Sequence, residues 1–170
     1  LILDDCSSHV SPEMIRECAE ECITNFPFTF DRNAQKLGST VTFEKLTALA
    51  KGAYIAYCDQ DDIWKPEKIE ALFDCFDSGD IELAYSDVRV IDGSGKTLAD
   101  SITKFRTRHV LYEGRDLASK LLVQNFVIGC TMMIKRDAAQ SMIPFDQEMV
   151  HDHYLALRSR FRGSLRLCKM

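Results

Sequence analysis

The run Ala53-Tyr54-Ile55-Ala56-Tyr57-Cys58 carries no charge and no turn residue, and it stops abruptly at Asp59-Gln60-Asp61-Asp62. An apolar run of this length that ends on acids is the pattern of a strand buried on both faces. Such a strand requires helices on each side of its sheet, and the rest of the chain supplies them. Ser11 followed by Pro12 starts a helix of about 14 residues, with Met14, Ile15, Cys18, Ala19, Cys22 and Ile23 recurring at helical period. Phe26 to Phe30 alternates as a short strand, and residues 31–38 read as polar loop. Ser39 or Thr40 then caps a helix that turns Phe43, Leu46, Leu49 and Ala50 inward until Gly52 ends it. Pro66 opens another helix, with Ile69, Leu72, Phe73 and Phe76 as its buried stripe. Leu83 to Ile91 is the next predicted strand, closed by the turn Asp92-Gly93-Ser94-Gly95. Leu117 to Val123 reads as helix, Phe126 to Ile134 as a long apolar strand and His151 to Phe161 as a final helix.

This alternation predicts one α/β domain over residues 1–170, a mainly parallel sheet flanked by helices. In such sheets ligands bind beyond the carboxyl ends of the strands. Both aspartate clusters fall there: Asp4-Asp5 after the apolar Leu1 to Leu3, and Asp59 to Asp62. With 21 Lys and Arg against 26 Asp and Glu the net charge is -5, so no basic face for nucleic acid is expected. The longest uncharged run, Leu121 to Ile134, contains Gln124 and Asn125 and falls short of the roughly 20 apolar residues a spanning helix needs. No transmembrane segment is predicted. The seven cysteines form no Cys-x-x-Cys, which points to reduced thiols, several of them serving as small buried hydrophobes, and to a cytoplasmic setting.

Three carboxylates among four residues repel one another, and a divalent cation is the simplest compensation. Hard oxygen ligands suit Mg²⁺ or Mn²⁺. An acidic turn before the helix at Pro66 accounts equally for Asp62. A calcium loop is excluded because Ile63 and Trp64 stand where that loop needs a ligand and a glycine. His151 and His153 diverge on a helix and do not make a metal pair. Gly93-Ser94-Gly95 lacks the helix start that a phosphate-binding loop requires.

The segment from Gly52 to Pro66, Gly-Ala-Tyr-Ile-Ala-Tyr-Cys-Asp-Gln-Asp-Asp-Ile-Trp-Lys-Pro, resembles the strand and Asp-x-Asp motif of family 2 glycosyltransferases with the GT-A fold, especially the rhamnosyltransferase-like branch. Four more segments follow in the family's order: Leu1-Ile2-Leu3-Asp4-Asp5-Cys6-Ser7-Ser8, Tyr85-Ser86-Asp87, Gly129-Cys130-Thr131-Met132-Met133 and His151-Asp152-His153-Tyr154. The resemblance implies a site for a nucleoside-diphosphate sugar, UDP- or dTDP-linked. It places Asp4 and Asp5 on the nucleotide, Asp5 on the base, with Asp59 facing the ribose or a metal-bound water. It makes Asp61 the ligand of Mn²⁺ or Mg²⁺ and Asp152 the catalytic base of an inverting transfer to a glycan or lipid-linked acceptor. From pattern alone, Asp152 is also an ordinary acid in the first turn of a helix.

The chain departs from that family in ways that bear on function. The family's opening strand, with its Pro-Thr-Tyr-Asn-like end, and the helix after it are lacking, as are carboxyl-terminal elements that shape the acceptor site. The chain is therefore expected to be a GT-A domain truncated at both ends. Thr42 stands where relatives commonly have Asn, and His153 where an aromatic is usual. The alternatives are a non-catalytic nucleotide-sugar or glycan-binding module and a metal-dependent phosphohydrolase. The expected setting of the leading reading is cytoplasmic, at the inner face of the membrane, in polysaccharide synthesis.

Overall fold

The computed structural model describes residues 1–77, 79–159 and 163–169. β1 (Ile2–Asp4) leads through α1 (Pro12–Cys22) to β2 (Phe30–Arg32), and the two strands pair in parallel. Ser11 caps α1 as its sequence requires, its Oγ accepting from the Met14 N–H at 3.2 Å. α2 (Ser39–Leu49) then runs to β3 (Tyr54–Ala56), followed by the acidic loop and α3 (Lys68–Asp74). β4 (Ile81–Ser86), the hairpin β5 (Val90–Ile91) and β6 (Thr97–Ala99), and the short helices α4 (Ile102–Phe105) and α5 (Ala118–Val123) come next. A 3₁₀ turn at Gly129–Thr131 enters β7 (Met132–Lys135), and α6 (Arg136–Gln140), α7 (His151–Ser159) and β8 (Ser164–Cys168) complete the chain.

The α/β architecture is the expected one, but the central sheet is mixed instead of mainly parallel. Its order is β3-β7-β4-β8, with β7 antiparallel to both neighbours and β4 parallel to β8. The reason lies in the connection. The excursion after β4 brings the chain back to the end where that strand finished, so Tyr85 meets Met132 and β7 runs in reverse. β1 pairs only with β2, and β3 only with β7, among the described residues.

Two apolar clusters lie on opposite faces of this sheet. Tyr57, Leu83, Tyr85, Leu121, Phe126, Met132, Ile134, Leu155 and Leu165 belong to one, and Leu72, Phe76, Ile81, Ala84 and Met133 to the other. From Leu83 to Tyr85 in β4 and from Met132 to Ile134 in β7 successive residues supply the two clusters in turn, as the period of a strand dictates, and the register shift between Ile81 and Leu83 puts Ile81 with Ala84. α6 is tied to α2 by Gln140, whose Nε2 donates to the carbonyls of Thr47 (3.0 Å), Ala48 (3.3 Å) and Ala50 (3.0 Å) at the helix end. No helix among the described residues is long and apolar enough to cross a membrane.

Several expected boundaries shift. The strand expected at Phe26–Phe30 forms at Phe30–Arg32, which takes two residues of the predicted loop. Leu83–Ile91 breaks at residues 87–89, where the Asp87 carboxylate accepts from the Val88 and Ile102 N–H groups and turns the chain into the hairpin and α4. Phe126–Ile134 is a strand only from Met132. α7 ends at Ser159, and the last two residues of its predicted span lie outside the described residues. Of the cysteines expected to serve as small buried hydrophobes, Cys130 and Cys168 are buried, whereas Cys18, Cys22 and Cys58 are exposed. The predicted apolar face of α1 buries Ala19 alone.

Candidate active site

The two adjacent acids after β1 do separate jobs. Asp4 is buried, accepts from the Ser7 N–H at 3.2 Å and pairs with Arg32 Nε at 3.3 Å, which closes the turn that leaves the strand. Asp5 reaches toward the start of α2. Its Oδ1 accepts from Asn33 Nδ2 (2.9 Å) and the Leu37 N–H (2.8 Å), and its Oδ2 from the Gly38 N–H (2.8 Å). Desolvation opposes ionisation of Asp5, but these donors outweigh it and hold the carboxyl below its ordinary value. Gly38 takes a φ of +86°, which glycine alone adopts without strain, so its N–H can aim at Asp5. Asn33 Nδ2 also donates to Thr42 Oγ1 (3.1 Å), and Lys45 Nζ donates to Asn33 Oδ1 (2.8 Å). Asn33 was not foreseeable from pattern, because it lies in a polar stretch with no periodicity.

β3 delivers the acidic loop. Asp59, Asp62 and the buried thiol of Cys130 bring one potential ligand atom each within 4.8 Å of one another, while Asp61 is exposed and outside that group. The Asp59 carboxyl is raised first by burial and then by the charges of Asp62, Asp61 and Asp152. An assembly of like charges that raises its own members' affinity for protons is one that a divalent cation relieves. Two carboxylates also match the usual protein share of an Mg²⁺ or Mn²⁺ shell. The two carboxylates therefore fit such an ion, whereas the Cys130 thiol, soft and made harder to ionise by burial, does not serve as its ligand.

Beneath the loop lies Lys68, buried despite its charge. Its Nζ donates to the Cys130 carbonyl and sits 4.3 Å from the centre of the Trp64 ring. Burial depresses its affinity for a proton, opposed by the nearby Cys130, Cys58 and Asp62. Burial likewise pushes the Cys130 thiol well up, with Asp62 adding to the effect.

Asp152 opens α7 with both oxygens engaged. Oδ1 accepts from Asn125 Nδ2 at 3.0 Å and from the His153 N–H, and Oδ2 accepts from the Gly129 N–H at 2.9 Å. The 3₁₀ turn at Gly129–Thr131 thus touches both halves of the site: its Gly129 N–H holds Asp152 and its Cys130 carbonyl holds Lys68. A Cβ on residue 129 would stand 2.8 Å from His151 Nε2, so glycine permits the approach of turn and helix. His151 is buried, stacked on Phe43 with ring centres 4.0 Å apart, and burial lowers its proton affinity against the opposing charge of Asp152. His153 Nε2 lies 2.6 Å from the Leu121 carbonyl. The two histidines diverge, as expected for neighbours on a helix. Thr40 Oγ1 donates to the Met149 carbonyl at 3.1 Å, which links the start of α2 to the approach to α7.

The structure thus brings Asp59 and Asp152 within electrostatic reach of each other and binds Asp4 and Asp5 into a separate network through Arg32, Ser7 and Asn33. These acids lie in an α/β domain, and the fold is the GT-A type that goes with the family whose model the chain matches. The chain belongs to glycosyl transferase family 2, whose model matches residues 1–143. It is 29% identical over 150 residues to an uncharacterized glycosyltransferase of Nostoc sp., with 86% of this chain and 44% of that protein covered. It is 24% identical over 151 residues to another of Methanocaldococcus jannaschii, with 88% and 49% covered. The chain therefore spans less than half the length of these curated relatives. Asp152 lies beyond the residues matched by the family model.

Proposed function

We propose that this chain carries the donor site and the base of an inverting glycosyltransferase. It moves a hexose or rhamnose from UDP or dTDP to a hydroxyl of a glycan or lipid-linked acceptor in cell-surface polysaccharide synthesis. The setting is cytoplasmic, with peripheral association at the inner face of the membrane, and the branch is the rhamnosyltransferase-like one. The observation that carries the reading is the Asp152 carboxylate, fixed at both oxygens by donors from residues 125–129 and lying within the field of the acidic loop.

In this reading Asp5 lies on the nucleotide side, facing the base, and Asp4 supports it through Ser7 and Arg32. Asp61 is the direct ligand of Mn²⁺ or Mg²⁺ that the Asp-x-Asp motif implies, at the exposed side of the acidic loop, while Asp59 faces the ribose or a metal-bound water and Asp62 adds negative charge beside it. When bound, the cation neutralises charge on the departing diphosphate. Asp152 accepts the proton of the acceptor hydroxyl while that oxygen attacks the anomeric carbon from the face opposite the diphosphate, so configuration inverts. The proton stays on Asp152 until solvent removes it.

The test is calorimetric and kinetic, on the full-length protein that contains this chain. UDP or dTDP is expected to bind with Mn²⁺ or Mg²⁺ and to lose affinity in excess chelator, and Asp61→Ala is expected to erase that metal dependence. Asp152→Asn is expected to lower transfer by about 10² to 10⁴, with nucleotide affinity near wild type. Equal binding with and without chelator defeats the metal assignment. A folded Asp152→Asn protein that transfers sugar at more than about a tenth of the normal rate defeats the base assignment. Release of inorganic phosphate in place of nucleoside diphosphate would move the chain to the hydrolases.

A further inference from the structure

Asn125 stands where the chain leaves α5 in extended form, its side chain half-buried between that helix end and α7. Its Oδ1 accepts from the Val127 N–H two residues on, at 3.1 Å. This Asx turn decides which way the amide faces. With the oxygen committed to Val127, the Nδ2 group is left to point at Asp152 Oδ1, 3.0 Å away. The Gly129 N–H takes the other carboxylate oxygen at 2.9 Å. Asp152 is thus gripped at both oxygens by one short segment, residues 125–129, and the grip at Oδ1 is a side chain that evolution or experiment can remove without touching the backbone. Because Oδ1 also receives the His153 N–H while Oδ2 receives Gly129 alone, the remaining acceptor capacity lies chiefly on Oδ2.

We propose that Asn125 is the positioning residue of the transfer reaction: it fixes the rotation of the Asp152 carboxylate so that Oδ2 is presented to the acceptor hydroxyl. The inference rests on Asp152 being the base. It gives a function to a residue that takes no part in the acidic loop, the nucleotide side or the core. Proton abstraction is sensitive to the placement of the accepting lone pair, and misplacement by about 1 Å costs up to about a hundredfold in rate. Loss of the amide therefore affects turnover and leaves donor binding alone.

The test uses the full-length protein with UDP-glucose and dTDP-rhamnose as donors and water as acceptor, followed by release of nucleoside diphosphate. Asn125→Ala is expected to lower kcat by about tenfold to a hundredfold with the donor KM within about twofold. Asn125→Asp keeps the shape and the acceptor for the Val127 N–H but sets oxygen against oxygen at Asp152, and it is expected to lose turnover in the same way. On an Asp152→Asn background either change is expected to add nothing, because the group being positioned is gone. A merely structural role predicts the reverse: losses that multiply on that background, with KM and melting temperature falling together. Independently of turnover, the side-chain amide signals of Asn125 in a ¹⁵N spectrum are expected to shift on Asp152→Ala and to stay in place on Asp137→Ala.

Asn125 signals that ignore Asp152→Ala overturn the proposal for every donor. Wild-type kcat in both Asn125 variants, while Asp152→Asn is inactive, overturns it and leaves the base in place. An active Asp152→Asn protein overturns the base and this inference together.

Discussion

Among single residues, His151 has the most direct physical consequence. Stacked on Phe43 and sealed from water, it is held neutral in the folded chain, burial being the cause and the Asp152 charge opposing it. The unfolded chain takes up a proton at the ordinary histidine value of about 6.5, above the folded value. Where the unfolded state binds more protons, stability rises with pH. The His151 contribution is therefore intact above about pH 6.5 and is lost as pH falls toward the lower folded value. Melting temperatures measured from pH 8 to pH 5 are expected to drop below that point, and His151→Phe is expected to flatten the drop. An unchanged profile in the variant would assign the acid sensitivity to other groups. Asp4 and Asp5 are the same residue type side by side, but the alternation of an extended chain sends them to different partners.

At the scale of elements, the three-residue turn before β7 joins the acidic loop to α7. Gly129→Ala places a methyl group 2.8 Å from His151 Nε2, closer than real contacts allow. Overpacking of this kind costs typically 1–3 kcal/mol, and here the strain falls on the helix that carries Asp152. Urea unfolding is expected to show a loss of that order, with a decline in transfer larger than the change in donor affinity. A midpoint equal to wild type would mean that α7 moves away freely. This turn also marks where reading the sequence stops working. The place of β3 was legible because six apolar residues end on acids, but the strand expected over residues 53–58 and buried on both faces forms only at Tyr54–Ala56, half-buried, because it is the edge of its sheet and pairs with β7 alone among the described residues. α1 was legible because Ser11 and Pro12 announce it. The strand expected at Phe126–Ile134 was not, since Gly129-Cys130-Thr131 is apolar enough to pass for strand and its bend depends on contacts with Lys68 and Asp152 from elsewhere in the chain. The direction of β7 was hidden for the same reason: it follows from where the excursion after β4 returns. Asp152, in the first turn of α7, was singled out by the resemblance alone, whereas the acids after β1 and β3 were readable from their positions beyond strand ends. Asn33, Asn125 and Lys68, which hold them, were not, because neutral amides in loops and a lysine in a helix carry no pattern that marks their partners.

For the molecule as a whole, cohesion is uneven. Both apolar clusters draw their buried members from residue 57 onward, and before residue 39 only Asp4, Ala19 and Asn33 are buried. β1, α1 and β2 are thus held mainly by hydrogen bonds and by α2, whereas β4 and β7 lie between two packed faces. Opening free energy follows buried apolar contact, so amide hydrogen exchange is expected to be fast over residues 1–38 and slowest in Ile81–Ser86 and Met132–Lys135. Uniform protection would contradict this division. The arrangement around Lys68 gives the molecule one more property. Trp64 is its single tryptophan, and the ammonium of Lys68 rests 4.3 Å from the ring centre while anchored to the Cys130 carbonyl. Indole emission shifts with the electric field across the ring, so all the tryptophan fluorescence of these residues comes from one chromophore with a fixed charge beside it. Any event that recharges or displaces the acidic loop changes that field. The chain therefore contains its own optical voltmeter for the metal side of the site, readable without a label.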